Sequence, residues 1–105
     1  MKPLAFVGSS LADLSAFPPA ARSLAGYELW QVQNGLQPSD FKPMPAVGAG
    51  AFEIRVHADG EWRVIYVTKV RDAIYVLHAF GKKTQATRQA DIALASRRYR
   101  QIGGI

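Results

Sequence analysis

Residues 51–58 alternate without a break: Phe52, Ile54 and Val56 fall on one side, and Glu53, Arg55 and His57 on the other. Successive side chains of a strand point to opposite faces, so this segment fits a strand with one face on a core and one charged face. Asp59-Gly60 then signals a hairpin into Trp62–Thr68, and a turn near Arg71-Asp72 leads into Ile74–Phe80. Three strands joined by turns this short form an antiparallel meander. The hairpin loop decides where Arg63 points. A two-residue turn puts Val56 opposite Arg63 and drives a guanidinium onto the apolar face, which is costly without a partner. A three-residue loop, Ala58-Asp59-Gly60 with glycine left-handed, pairs Arg55 with Arg63 instead. It gathers Glu53, Arg55, His57 and Arg63 on one face, and sends Trp62, Val64 and Tyr66 to the core with Phe52, Ile54 and Val56. The three-residue loop is therefore expected.

Upstream, Leu4–Val7 reads as a short strand ended by Gly8. Ser10-Leu11-Ala12-Asp13 resembles a capping box, and Leu11, Leu14 and Phe17 give a brief helix one apolar stripe before Pro18-Pro19 ends it. A second helix starts near Pro19, with Ala20, Ala21, Leu24, Tyr27 and Gln31 on a shared face, and stops at Asn34-Gly35. Residues 35–50 carry Pro38, Pro43, Pro45, Gly48 and Gly50 and are expected to form a long surface loop without ladder or helix. Thr87 is placed to cap a last helix whose apolar stripe is Ile92, Ala95, Tyr99 and Ile102. The order β-α-α-β-β-β-α is an α+β fold, and 105 residues make one domain.

The charge is unevenly placed. The buried-strand run Val76–Phe80 breaks at Gly81 into Lys82-Lys83, and beyond it come Arg88, Arg97, Arg98 and Arg100 against the single acid Asp91. Residues 1–80 carry seven basic and seven acidic side chains, so the whole net charge of +5 lies in the last quarter of the chain. Such asymmetry fits an anionic partner, either nucleic acid or an acidic protein segment; a plain solvated helix face is the bland alternative. The chain has no cysteine, which excludes disulfides, thiolate metal sites and cysteine nucleophiles. His57 and His78 are its two histidines, and neither a metal nor a cofactor is expected. The apolar run Pro3–Val7 is too short for a signal core or a membrane span, so a soluble, cytoplasmic protein is expected.

Three motifs then carry a resemblance. Glu53-Ile54-Arg55, Trp62-Arg63-Val64-Ile65-Tyr66 and Leu77-His78-Ala79-Phe80-Gly81-Lys82-Lys83-Thr84, in this order and spacing, resemble the phage-related branch of HigB-like toxins in the RelE/ParE toxin–antitoxin superfamily. The resemblance covers roughly residues 6–100 and is strongest over 51–92. It implies a RelE-like fold and a toxin that cleaves messenger RNA on the ribosome by 2′-hydroxyl attack, without a metal. It also implies a cognate antitoxin, often a helix-turn-helix protein. Carried over residue by residue, the superfamily's basic position on the first meander strand falls on Arg55, its second-strand arginine on Arg63, and its basic pair on Lys82 and Lys83. Fixed cations suit this chemistry because a pentacoordinate phosphate gathers negative charge.

The chain departs from the best-known members after the basic pair. They place a tyrosine, or a histidine and an acid, where this sequence reads Thr84-Gln85-Ala86-Thr87-Arg88-Gln89. Candidates for proton transfer are then Glu53, His57, His78 and Tyr66, with His78 in an apolar strand that also suits a core residue. Arg88, Arg97, Arg98 and Arg100 are candidate contacts to RNA or antitoxin. Two other functions stay open: a ParE-like inhibitor of DNA gyrase, and a non-enzymatic phage-derived binding protein. Arg55, Arg63, Lys82 and Lys83 together favour the nuclease, because a gyrase binder has no need to converge cations on one sheet face.

Overall fold

The alternating segment is strand β3 (Ala51–His57), carried by its hairpin into β4 (Glu61–Val67). The computed structural model describes residues 1–68, 72–83 and 86–103. Arg55 lies opposite Arg63 and His57 opposite Glu61, so residues 58–60 form the three-residue loop. Asp59 (φ 52°) and Gly60 (φ 110°) both take positive φ. A φ of 110° strains any residue with a Cβ, which is why glycine ends the loop. β5 (Ile74–Gly81) runs antiparallel on β4, and β1 (Leu4–Phe6) lies parallel beside Ile74–Val76 of β5. Arg71, in the turn expected before β5, and Thr84, at the end of the third motif, lie outside the described residues.

The expectation for residues 35–50 is corrected. They contribute β2 (Phe41–Pro43), antiparallel on β3, and among the described residues the sheet has five strands in the order β1-β5-β4-β3-β2. Proline is tolerated here because β2 is an edge strand and Pro43 is its last residue. The segment is also tied down from inside. Glu28 of α2 (Pro19–Gln33) accepts from the Ser39 backbone N–H at 2.5 Å and from its hydroxyl at 3.2 Å, while Pro38, Met44 and Val47 are buried.

Two caps also differ from expectation. The N-cap of α1 (Ser10–Ser15) is Ser9, whose hydroxyl donates to the Asp13 carboxylate at 2.7 Å. Ser10 is fully buried, and its hydroxyl is satisfied by donating at 3.0 Å to the Val76 carbonyl, which also accepts from the Val7 backbone N–H at 2.9 Å. For α3 (Gln89–Arg100) the N-cap is Arg88, because the Thr87 hydroxyl donates to Glu53 instead.

Both faces of the sheet are covered. Leu14 of α1, Phe17 of the connection, and Ala21, Ala25 and Leu29 of α2 pack on Ile54, Val56, Val64, Tyr66 and Val76. On the other face Ala95 and Ile102, with Ile92 and Tyr99 at the margin, meet Ala51, Ile65, Val67 and Leu77 together with Met44 and Val47. The β4–β5 register slips by one residue: Tyr66 faces Val76, but Ile65 faces His78. Leu77 is the extra residue of this bulge. It joins the α3-side core, and the slip aims His78 to that side as well, where its Nε2 lies 2.7 Å from Asp91 Oδ1 of α3.

Candidate anion-binding site

The α3-facing side of the sheet is apolar around Ala51, Val67 and Leu77 and becomes charged toward the β3–β4 hairpin. Glu53 is its buried centre, with no exposed surface. Arg63 Nε stands 3.7 Å from Glu53 Oε1, Lys42 Nζ of β2 stands 4.0 Å from the same oxygen, and Thr87 donates to Oε2 at 2.7 Å. Glu53 Oε1, Arg63 Nε and Arg55 Nε are buried and make no hydrogen bond. Arg63 is itself only 5 % exposed and donates from Nη1 to the Trp62 carbonyl at 2.9 Å. A guanidinium and a carboxylate so deeply buried are tolerated because each offsets the other's loss of hydration.

Lys82 joins this group from the end of β5. Burial is the largest influence holding its ammonium below the ordinary lysine range, followed by the like charges of Arg63, Lys42 and Arg55, against which Glu53 acts. Four cations therefore share a neighbourhood with one buried carboxylate, and their mutual repulsion is relieved by an incoming anion. At the hairpin end, His57 sits between two acids: Nε2 is 2.6 Å from Asp40 Oδ2, and Nδ1 is 2.8 Å from Glu61 Oε1. These contacts raise the His57 pKa, Asp40 contributing most, and the same contact with His57 is the largest cause that lowers that of Glu61.

The remaining candidates are scattered. His78 is buried, stacked on Phe80 at 4.5 Å and held by Asp91, whose Oδ2 also accepts from Arg88 Nε at 3.3 Å. This trio fastens the first turn of α3 to β5. Tyr66 lies on the opposite face under α2, where burial first and the Glu28 carboxylate second push its hydroxyl pKa far up. It borders a cavity of about 380 Å³ lined by Val32, Phe41, Phe52 and Ile74, which holds none of the clustered cations. Lys83 is exposed beyond β5, and Arg97 and Arg100 are exposed on α3. Arg98 is turned inward: it donates to the Leu77 carbonyl at 2.8 Å and to the Ser9 hydroxyl at 3.0 Å.

Lys42, Asp40, Glu61 and Thr87 are site residues that the sequence does not mark as such. Lys42 and Asp40 stand in the segment read as a loop, and Thr87 was assigned to a helix cap. Glu61 was legible in principle, since the three-residue loop puts it directly opposite His57. Among the described residues, no group of three or more His, Asp or Glu side chains is arranged to hold a metal ion, and no helix is long and apolar enough to cross a membrane.

A small α+β domain with two-sided helical cover and a cationic patch on one sheet face is the class these features define. The chain belongs to the family Phage derived protein Gp49-like (DUF891), which matches residues 12–100. Among curated proteins, none matches it significantly.

Proposed function

We propose that the chain is the toxin of a type II toxin–antitoxin pair, with a RelE-like fold, and that it acts in the cytoplasm as a ribosome-dependent messenger RNA endonuclease. The observation that carries this reading is the convergence of Lys42, Arg55, Arg63 and Lys82 on one sheet face around Glu53. In this reading a phosphodiester docks against Arg55 and Lys82, which are partly exposed, with Arg63 behind them. Charge building on the phosphate during 2′-hydroxyl attack is then met by donors already in place. Glu53 Oε1, which accepts no hydrogen bond, is the acceptor for the 2′-hydroxyl proton. Because Glu53 is covered, the Thr87 segment has to shift from it when substrate enters. His57, with its two ring nitrogens facing Asp40 and Glu61, is the titratable group nearest the rim. The basic tail and the family's phage origin support an acidic antitoxin as the neutralising partner.

Induction followed by primer extension on ribosome-bound message tests the proposal. Discrete cleavage that is weakened by Arg55→Ala and by Lys82→Met supports it. Growth arrest without message cleavage would instead favour the gyrase-directed reading, to which the deep burial of Glu53 and Arg63 lends weight, since protein contact alone needs no exposed catalytic pair.

A further inference from the structure

Five charged side chains form a closed circuit at the hairpin end of the cationic face. Arg55 Nη1 is 3.7 Å from Asp40 Oδ1, and Asp40 Oδ2 is 2.6 Å from His57 Nε2. His57 Nδ1 is 2.8 and 2.9 Å from the two Glu61 oxygens, and Glu61 Oε1 accepts from Arg63 Nη1 at 3.3 Å. Arg55 and Arg63 are cross-strand partners, which closes the ring. The backbone builds it deliberately. The three-residue loop places Glu61 opposite His57, and the Arg55 backbone N–H donates to the Asp40 carbonyl at 2.9 Å.

A neutral imidazole has a single N–H, so it satisfies one carboxylate and turns a lone pair on the other. Only the imidazolium donates to both. When it loses its proton, one carboxylate loses its hydrogen bond, and its charge falls on the arginine it already touches: Arg55 for Asp40 and Arg63 for Glu61. Those guanidinium groups are what a phosphate would use. We propose that His57 is a positioning residue for anion binding. Protonated, it shares Asp40 and Glu61 with Arg55 and Arg63 and offsets part of the negative charge those carboxylates place on the two guanidinium groups, which strengthens their hold on a phosphodiester; deprotonated, it leaves that charge to the arginines alone and weakens the site. This rests on the nucleic-acid reading above and names the residues that set its strength. The groups facing His57 are Asp40 from the segment before β2, Arg55 from β3, and Glu61 and Arg63 from β4. Lys42 and Lys82 belong to the Glu53 group farther along the same face. The side chains of His57, Asp40 and Glu61 are 51 %, 41 % and 47 % exposed, so all three exchange freely with solvent.

The test is equilibrium binding of a labelled single-stranded RNA decamer to the full chain between pH 6 and 8.5 at fixed ionic strength, followed by fluorescence anisotropy. Wild-type affinity is expected to fall by about twofold to fivefold across that window, a change on the order of the coupling measured for exposed charge pairs. His57→Gln is expected to bind at the weaker level throughout, because an amide has no charge to offset the two acids. Asp40→Asn/Glu61→Gln is expected to bind tightly with little change above pH 7, since no carboxylate charge is left for His57 to offset. A wild-type profile that stays flat, or a His57→Gln profile as steep as wild type, overturns the inference alone. RNA binding absent at every pH, in wild type and in Asp40→Asn/Glu61→Gln alike, overturns the nucleic-acid reading and this inference with it.

Discussion

Arg63→Ala is expected to destabilise the fold before it reports on any chemistry. The Arg63 side chain is 6 % exposed and faces a Glu53 side chain with no exposure at all. Truncation leaves that carboxylate with Lys42 at 4.0 Å and the Thr87 hydroxyl at 2.7 Å. Removing one partner of a buried ion pair costs roughly 3 to 5 kcal/mol. The 3.7 Å separation and the remaining lysine place this case at the lower end, about 3 kcal/mol. A domain of this size is stable by only about 5 to 15 kcal/mol, so the loss is a large fraction of the total. Glu53→Gln/Arg63→Ala removes both charges while the Gln amide keeps an acceptor for Thr87. It is expected to regain at least about 1.5 kcal/mol relative to the sum of the single variants. Urea unfolding followed by the fluorescence of Trp62 and Trp30 gives the whole cycle. A single-variant loss below about 1 kcal/mol, the scale of an exposed pair, would refute the reasoning. So would strict additivity of the two changes.

If about four phosphates are contacted, the logarithm of affinity for single-stranded RNA falls against log salt with a slope near −3, measured by titration at several salt concentrations. His57 has a raised folded-state pKa, so its stabilising contribution is complete below its ordinary 6.5 and is lost as pH rises through the raised value. Melting temperature should therefore drop more between pH 6 and 8.5 in wild type than in His57→Gln. Lys82 has the opposite sign: its depressed pKa means that the charged form is disfavoured by the fold at neutral pH. Lys82→Met should raise the melting temperature while lowering RNA affinity, and a fall in both would argue against a crowded cationic patch.

The meander was legible because alternation and turn chemistry agree over residues 51–68, and the cost of burying an unpaired Arg63 was enough to choose the hairpin register. What that argument did not reveal is that the polar face is itself covered: Arg63 and Glu53 are buried by each other and by Thr87. Alternation distinguishes the two faces of a strand but not whether the charged one meets solvent. β2 escaped notice because three residues flanked by prolines carry no periodic signal; their order comes from Glu28 holding Ser39. His78 posed the same difficulty in another form. Its parity in β5 assigns it to the side of Val76, and only the bulge at Leu77 turns it toward Asp91.

β1 is three residues long and accompanies β5 no further than Val76. Past that point, among the described residues, no strand lies along the outer side of β5. A bare strand edge is a template for the backbone of another molecule. Arg98 lies across this place. Its guanidinium passes over Gly8, where a Cβ would come within 2.6 Å of Nε, and donates to the Leu77 carbonyl. One of the basic residues of the C-terminal helix thus completes, with α1, the cover over this edge. Its replacement should appear as concentration-dependent association of the purified chain well before any change in affinity for an anionic partner.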